Sequence, residues 1–477
     1  MKVQREGRRP WFLLALLVLA FASIAAACGG DDDETSTSSA AATDTATETA
    51  SESSSTAAGG EAITIGFLSN CEGPFGPFWE TSIAGMNMAL INLAGATATG
   101  AKPSEGVTGA TIGGVPIEIN SNYGCSDDKP EKALSEAKRL IEQEDVDILL
   151  GPLSGDEGIA VANYAKENPA KTFVNGTSGA QDTTLEVRAP NYFRWNTDGA
   201  QWSAGLGAYA YNVLGWKKVV TVADDYSFPY TQVAGFVAEF CSLGGTVEER
   251  IWPALGEEDY SSYIAQIPEG IDGFYLGVGG TGTVAFVKQY DQLKGNLGDK
   301  IMGGVFITDP IIQKELGDRI VGVTTAGPTS GDSTEQAWLD HVEKVKAVYP
   351  DEAANASSVF QYNYYVNMAA ILQGIEAVAG DISDDQAKLQ EAMAGVVVES
   401  PFGPIKLDDN RQAIATNFLQ QIVKGDDGKI GVKTIASVPD VDQSFAGKFS
   451  PESPSVDREN PACEAGSPPP WTSTITK

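Results

Sequence analysis

The sequence predicts an α/β protein with two lobes, each built on a doubly wound parallel sheet. Short β-branched or apolar runs alternate with helical segments, which is the pattern of parallel βαβ units. The alternation runs along the chain twice, and "RAPNYFRWNTD" (residues 188–198) separates the two series. The 477 residues are enough for two such lobes.

The first series begins with the strand "AITIGFLSN" (62–70) and ends with "KTFVNG" (171–176). A helix is predicted in "DDKPEKALSEAKRLIEQEDV" (127–146), where Asp128 can cap the helix and Pro130 suits its first turn. The run "VDILLGP" that follows is short and continuously apolar, as in a buried parallel strand. These features predict one complete α/β unit.

The second series starts at "KKVVTVADD" (217–225) and repeats the alternation. Further helices are predicted over 334–349 and 360–379, and "SPFGPIKLDDNRQAI" (400–414) is typical of a β-hairpin. The chain from Pro451 onward is Pro-rich and is predicted to be irregular. The other predicted elements are helices 229–243 and 283–294 and strands in "GTVEERIWP", "DGFYLGVGG" and "KIMGGVFITD".

The N-terminus has the composition of an export signal. Four basic residues precede the apolar run Trp11–Ala22, and Ala25–Ala27 offers the small side chains of a cleavage site before Cys28. The pattern is similar to a bacterial lipoprotein signal over residues 1–27, in which Cys28 is acylated. The apolar run is shorter than the ~20 residues of a membrane span. A plain secretory signal with an incidental cysteine is the alternative.

Residues 28–61 form an acidic Ser/Thr/Ala-rich segment without an aromatic residue. Such a segment cannot bury enough apolar area to offset the entropy of ordering it, so we expect a disordered tether. Together with the signal, the tether predicts a protein that is extracytoplasmic and anchored to a membrane by lipid on Cys28.

The formal charge of −32 argues against nucleic acid and anionic lipid as partners. The single histidine, His341, lies in an amphipathic helical segment and is expected to be at the surface or partly buried. One histidine leaves no credible Ser-His-Asp triad or His/Cys zinc site. We therefore expect no catalytic residue, no metal and no cofactor, although Asp224 and Asp225 could serve a hydrolase.

Four cysteines remain besides Cys28, at positions 71, 125, 241 and 463. An even number in an exported chain predicts two disulfides. Four cysteines allow three pairings, and the sequence pattern alone leaves all three open.

Ligands of parallel α/β sheets bind beyond the carboxyl ends of the strands, and two loops there carry hydroxyl groups. In "GPLSGDEG" a strand turns into a helix at Ser154, and "NGTSGAQDTT" places Thr177 and Ser178 one strand further. A helix N-terminus with a hydroxyl group suits a carboxylate or another anion. Ordinary helix capping is the alternative. Aromatic residues that could form apolar walls, or belong to the core, are Phe75, Phe78, Trp79, Tyr226 and Phe228.

Four segments carry a family resemblance, and together they span about residues 62–440. They are "AGMNMALINLAG", "EKALSEAKRLIEQEDVDILLGPLSG", "NYFRWNTDGAQ" and "FGPIKLDDNRQAI". The chain resembles the type I periplasmic binding proteins, specifically the branched-chain amino acid-type receptors of ABC importers.

The resemblance implies a "Venus flytrap" in which three crossing strands join the lobes and a hinge motion closes them on a solute. Lobe 1 would comprise 62–188 with 329–400, lobe 2 would comprise 189–328 with 401–450, and 451–477 would be the tail. The implied protein is a monomeric solute receptor that delivers an amino acid, an amide or a small aromatic acid to an ABC permease. A sensor of the same fold and, more remotely, an extracellular hydrolase are the alternatives.

The resemblance also implies the site residues. The family's carboxylate ligand falls on Ser154, with neighbours at Thr177 and Ser178, and its second-lobe aromatic falls on Phe228, near Tyr226. Phe75 would add to the apolar wall. A family tyrosine falls on Gly279, and the acid that holds the ammonium group falls on Val305, so Asp309 or Glu72 would have to substitute for it. The implied fold pairs Cys71 with Cys125 at the ends of neighbouring strands and leaves Cys241 for Cys463.

Overall fold

The computed structural model describes residues 61–477. The predicted signal peptide, the acylation of Cys28 and nearly all of the predicted tether lie outside the described residues. From residue 61 onward, none of the helices has both the length and the apolar character that a membrane crossing requires.

The first sheet has seven strands, and we call this sheet with its helices lobe 1. Its strand β1 is buried at seven of eight positions, as expected for a central strand whose two faces are covered. The elements are β1 (Ile63–Asn70), α1 (Trp79–Ala94), β2 (Thr97–Ala98), β3 (Val107–Thr108), β4 (Thr111–Ile112), β5 (Val115–Ile119), β6 (Gly124–Ser126), α2 (Pro130–Lys138), β7 (Ile148–Leu150), α3 (Gly155–Glu167), β8 (Thr172–Val174) and β9 (Tyr192–Phe193); β2 and β3 form a separate pair.

The strand order of this sheet is β4-β5-β1-β7-β8-β9, and β6 also pairs with β1. All of these pairings except β4–β5 are parallel, and Ile65 of β1 is in register with Ile119 and Ile148. The carboxyl ends of β1, β6, β7 and β8 therefore lie along one edge, where loops can converge on a ligand.

The second sheet has nine strands, and we call it with its helices lobe 2. Its elements up to residue 327 are α4 (Gly199–Trp202), α5 (Leu206–Ala208), β10 (Lys218–Ala223), α6 (Ser227–Ser242), β11 (Thr246–Ile251), α7 (Ser261–Gln266), β12 (Gly273–Gly277), α8 (Gly280–Lys294), β13 (Ile301–Gly303), α9 (Pro310–Leu316) and β14 (Thr324–Gly327). The sheet order is β11-β10-β12-β13-β14, all parallel.

The last third of the chain serves both lobes. It contains α10 (Gln336–Val348), α11 (Val359–Ala377), α12 (Ala387–Ala394), β15 (Val398–Ser400), β16 (Gly403–Leu407), β17 (Ala413–Lys424) and β18 (Ile430–Val441). The three helices join the core of lobe 1, whereas β17 pairs antiparallel with β14 and extends the sheet of lobe 2 through β16 and β18. The predicted two-lobe α/β fold is confirmed.

The chain passes between the lobes after β9, after β14 and where β16 leads into β17. Arg194, completely buried at the first of these passages, fixes the path of the chain. Its guanidinium donates to the carbonyl of Ala180 (2.6 Å) and to the side chain of Gln412, and it faces Asp198 at 3.8 Å. A buried guanidinium must be paired and hydrogen-bonded, so this network ties the crossing segment to the strand that returns beside it.

Both disulfides of the structure have the predicted pairings, Cys71–Cys125 and Cys241–Cys463. The second one attaches the tail to helix α6 of lobe 2. The tail has no helix or strand beyond a short 3-10 turn at Pro470–Ser473. Its Trp471 donates to Glu239 (3.2 Å) and its Ile475 is buried in the lobe 2 core, so the tail is packed in place.

Candidate functional site

A cavity lies between the lobes, at the carboxyl ends of their parallel strands. Its empty volume is about 280 Å³. This is the position where open α/β sheets bind ligands, and the combination of an apolar lining with a few polar groups is typical of small-molecule sites. The lining residues are Phe75, Leu153, Ser154, Gly155, Thr177, Gly179, Trp202, Tyr226, Phe228, Val305, Phe306, Val359 and Phe360.

The lobe 1 side of the cavity carries two buried hydroxyl groups, and we call it the polar wall. Ser154 is the residue before α3, and Thr177 follows β8. Neither Ser154 Oγ nor Thr177 Oγ1 has a hydrogen-bond partner among the described residues. The first-turn N–H groups of α3 have no intrahelical partners and carry partial positive charge. This wall therefore offers several donors to an anion.

The rest of the cavity is lined by aromatic rings from both lobes, and we call it the aromatic wall. The ring of Phe306 stacks on Phe75 of lobe 1 (centroids 5.5 Å apart) and meets Phe228 edge-on at 5.8 Å. Trp202 and Tyr226 flank Phe228 at 5.4 and 6.3 Å. These spacings are those of favourable offset and edge-to-face pairs. The predicted residues Phe75, Tyr226 and Phe228 thus come together with Ser154 and Thr177.

Gly279 stands behind the aromatic wall, outside the lining of the cavity. A Cβ atom at this position would lie 2.8 Å from the ring of Phe306 and 3.1 Å from the ring of Phe75. The two phenyl rings thus occupy the space that a side chain at 279 would need. The Gly279 N–H donates to the carboxylate of Asp224 at 2.7 Å. Its placement does not agree with direct ligand contact.

Ser178 is turned away from the cavity, contrary to its predicted role. Its Oγ faces the carbonyl oxygen of Gly155 at 3.5 Å, against the first turn of α3. Because this hydroxyl group packs under the helix instead of beside Ser154, Ser178 supports the polar wall from behind.

Neither acid that was expected to hold an ammonium group lines the cavity. Asp309 caps α9: one carboxylate oxygen accepts the N–H of Ile311 (2.9 Å), and the other accepts the hydroxyl of Ser358 (2.5 Å). Glu72 is exposed beside the disulfide of Cys71. The predicted ammonium-binding role therefore does not fit the placement of either residue.

Three carboxyl groups are buried next to Tyr226. Burial, reinforced by the nearby Glu157, raises the pKa of Asp128 to about 8, and burial raises the pKa of Glu157 to about 7. Burial also raises the pKa of Asp224 well above its ordinary value. The same acids add to the effect of burial in raising the pKa of Tyr226. Burial therefore favours the protonated, neutral forms of these carboxyl groups.

Asp128 was predicted as a helix cap, and this prediction is wrong. The residue has φ 71°, α2 begins at Pro130 without a side-chain cap, and Asp128 Oδ1 accepts a hydrogen bond from Asn70 Nδ2 (2.9 Å). Its backbone N–H donates to Glu157 (3.0 Å). Asp128 therefore belongs to the buried acidic cluster at the edge of the sheet.

The pair Asp224–Asp225 is split by the fold. Asp224 is fully buried, whereas Asp225 faces outward and binds Arg458 of the tail. His341 is more deeply buried than expected; it stacks on Trp338, and burial lowers its pKa to about 4. Neither acid of the pair lines the cavity.

The two lobes touch each other directly around the cavity. The N–H of Ser227 donates to Asp156 of lobe 1 (3.1 Å), and the N–H of Thr281 donates to the carbonyl of Pro74 (3.1 Å). A Cβ atom on Gly155 would lie 2.8 Å from Phe228 Cβ and 2.9 Å from its backbone nitrogen. The absence of a side chain at 155 therefore allows the walls to meet.

Several lining residues escaped the sequence analysis. Phe306 and Phe360 lie in segments without a motif, and only the packed fold brings them beside Phe75. Of the other aromatic candidates, Phe78 stacks behind the cavity on Phe360 (4.1 Å), and Trp79 packs in the lobe 1 core. The remaining lining residues that were not foreseen are Leu153, Gly155, Gly179, Trp202 and Val359.

A family model described as "Periplasmic binding protein" matches residues 62–429. Among curated proteins, the Leu/Ile/Val-binding protein homolog 6 of Brucella melitensis is 27% identical over 379 residues, which cover 78% of this chain and 90% of the relative.

Solved structures share the fold. An ABC transporter substrate-binding protein from Sphaerobacter thermophilus superimposes with a TM-score of 0.69 at 24% identity, covering 80% of this chain and 99% of that one. A solute-binding protein from R. palustris in complex with benzoate gives 0.68 at 24% identity, with coverages of 80% and 98%. A leucine-binding protein from Thermotoga maritima gives 0.66 at 20% identity, with coverages of 79% and 99%.

The matched residues 62–429 include parts of both lobes and every residue that lines the cavity. Membership of this family implies an extracytoplasmic location. The chain therefore belongs to the periplasmic binding protein family, with the type I, two-lobe architecture of the branched-chain amino acid-type receptors.

Proposed function

We propose that this protein captures a small carboxylate solute between its lobes and delivers it to the permease of an ABC importer. The observation that carries the proposal is the polar wall: the hydroxyl groups of Ser154 and Thr177 are buried without partners and face the cavity. A buried polar group without a hydrogen bond is costly, so a ligand oxygen that accepts from both groups would offset this cost.

The charge of the solute follows from the same wall. The N-terminus of α3 opens toward the cavity beside Ser154, and among residues 61–477 no lysine or arginine lines the cavity. Hydroxyl groups and helix N–H groups together favour a carboxylate without needing a counter-charge. Amino acids, amides and small aromatic acids all present a suitable oxygen, in keeping with the ligands named for the relatives.

The contacts between the lobes support capture by closure. Ser227 and Asp156, like Thr281 and Pro74, join opposite lobes beside the cavity, so these hydrogen bonds form only when the lobes approach. A solute that touches both walls binds the closed arrangement better than the open one. Shifting a two-state equilibrium from 1:99 to 99:1 takes about 5.5 kcal/mol of differential affinity.

Membrane attachment completes the proposal. A lipid on Cys28 and the acidic tether after it would keep the receptor near its permease, and the receptor would act as a monomer. Blocking acylation by Cys28→Ser should release the full chain from the membrane fraction into the medium. A Cys28→Ser protein that stays in the membrane fraction would contradict the anchor.

The function is tested on residues 61–477, purified without denaturation. Native mass spectrometry should reveal a small co-purified solute, and a thermal-shift panel of amino acids, amides and aromatic acids should give a Tm that rises with log ligand concentration. Matched amines without a carboxylate serve as controls. A panel in which no carboxylate shifts Tm, with no bound mass, would contradict the proposal.

A further inference from the structure

We infer that the solute is an aromatic monocarboxylate without an amino group, whose carboxylate lies against Ser154 and Thr177 and whose ring lies among Phe75, Phe228, Phe306 and Phe360. This inference rests on the proposed function and narrows its substrate class. It depends on the aromatic and hydroxyl side chains that line the cavity and on the lack of an acidic side chain among the described lining residues.

One end of the cavity is polar, and no described residue gives the cavity a negatively charged end. Its polar side chains are Ser154 and Thr177 on the polar wall and the phenol of Tyr226 on the aromatic wall. In the described part of the chain no aspartate or glutamate lines it, and on the lobe 2 side Val305 is completely buried against the cavity. An α-amino acid would place its ammonium group there without an ionised partner, and an unpaired buried charge is strongly unfavourable.

The acids around Tyr226 are poorly suited to replace that partner, and Asp156 among them already accepts the N–H of Ser227 (3.1 Å). Glu157 accepts the backbone N–H groups of Asp128 and Ser154, and one oxygen of Asp224 accepts the N–H of Gly279. The second oxygens of Asp128 and Asp224 have no partner among the described residues, but burial raises the pKa of both carboxyl groups and so favours their neutral forms. A neutral carboxyl group does not compensate an ammonium charge.

The apolar part of the cavity is shaped by flat surfaces. Phe75 and Phe306 stack at an interplanar angle of 26°, Phe306 and Phe360 at 30°, and Phe228 stands almost perpendicular to Phe306 at 86°. A planar ring can join such an array by stacking on one face and meeting another ring edge-on. Because Phe75 and Phe306 also fill the space beside Gly279, a ligand in this cavity has to be compact.

The first test compares three ligands by calorimetry on residues 61–477: benzoate, phenylalanine and cyclohexanecarboxylate. We expect benzoate to bind at least ~30-fold tighter than phenylalanine, because the amino acid buries an unpaired charge. We expect benzoate to bind about 2- to 10-fold tighter than cyclohexanecarboxylate, the range of an aromatic pair. Equal or tighter binding of phenylalanine, or of the non-planar acid, would overturn the inference while leaving the proposed carboxylate receptor intact.

Two substitutions at Val305 test whether the lack of a carboxylate is the reason that the cavity disfavours an amino acid. Val305→Asp places a carboxylate on the wall opposite Ser154, and Val305→Asn is its uncharged match of similar size. The ratio of benzoate to phenylalanine affinity should fall at least ~10-fold in Val305→Asp relative to Val305→Asn, because the new charge can pair with the ammonium group. An unchanged ratio would contradict the inference. If no carboxylate of any kind binds the wild-type protein, the proposed function fails and the inference fails with it.

Discussion

The two walls of the cavity are built by opposite means. The polar wall rests on local structure: a strand ends, a helix begins, and the residue at the junction presents a hydroxyl group and the free N–H groups of the first turn. The aromatic wall rests on long-range packing, since Phe75, Phe228, Phe306 and Phe360 come from four separate segments. Under the proposed function, one wall recognises the carboxylate and the other the rest of the solute.

The first prediction tests whether the two walls have to meet for the solute to bind. Gly155→Val adds a side chain where even a Cβ atom would lie 2.8 Å from Phe228 Cβ, so the lobes could not close fully. Overpacking of this kind costs about 1–3 kcal/mol or more, and we expect affinity to fall by roughly 100-fold. Isothermal titration calorimetry measures the affinity of the variant for the solute.

The control for this prediction is Gly431→Val, in strand β18, where a Cβ atom would meet nothing within 4 Å. Its affinity should equal that of the wild type. Wild-type affinity in Gly155→Val would show that solute binding does not require the walls to meet at this residue.

The second prediction acts on the polar wall alone. Ser154→Ala removes a buried hydroxyl group that has no protein partner, so the loss should appear in solute binding and not in folding. We expect affinity to drop about 10-fold, on the scale of a hydrogen bond to a charged group. Ser178→Ala is the matched control, because that hydroxyl group is turned toward Gly155. A greater effect at 178 than at 154 would reverse our assignment.

The third prediction concerns the acids behind the walls. The pKa of Asp128 is raised to about 8 and that of Glu157 to about 7, so the folded protein holds protons that the unfolded chain releases above about pH 4. The free energy of unfolding should therefore fall as pH rises, by up to about 4 kcal/mol between pH 6 and 8.5. Urea denaturation at both pH values measures this.

Asp128→Asn isolates the contribution of this one group, since asparagine keeps the size of the side chain and does not titrate. Its stability should depend less on pH over the same interval than that of the wild type. Stability that rises with pH, or an identical slope in the variant, would show that the carboxyl group of Asp128 is not held neutral by the fold.

The sequence allowed the polar wall to be predicted because its signals are local. A buried strand followed by Ser154 and a helical segment already specifies a helix N-terminus at a sheet edge, and Thr177 lies at the same place one strand over. Ser178 was expected beside them, but its backbone turns it beneath α3. A difference of one residue in such a loop depends on backbone angles that the sequence pattern does not determine.

The aromatic wall contains residues that the sequence pattern could not identify. Phe228 was predicted from the end of a strand, but Phe306 and Phe360 carry no motif and gain their role only through packing between lobes. Asp309 was placed at the right sheet edge, yet capping α9 and binding Ser358 occupy both of its oxygens. Competition among partners for a carboxylate is a property of the assembled fold.

The most direct test of the account is a crystal structure of residues 61–477 with the solute that raises Tm most. We predict that its carboxylate oxygens lie within hydrogen-bond distance of Ser154 Oγ and Thr177 Oγ1, with the apolar part against Phe228 and Phe306. A solute bound outside this cavity, or bound with its carboxylate against the aromatic wall, would contradict the division between the two walls.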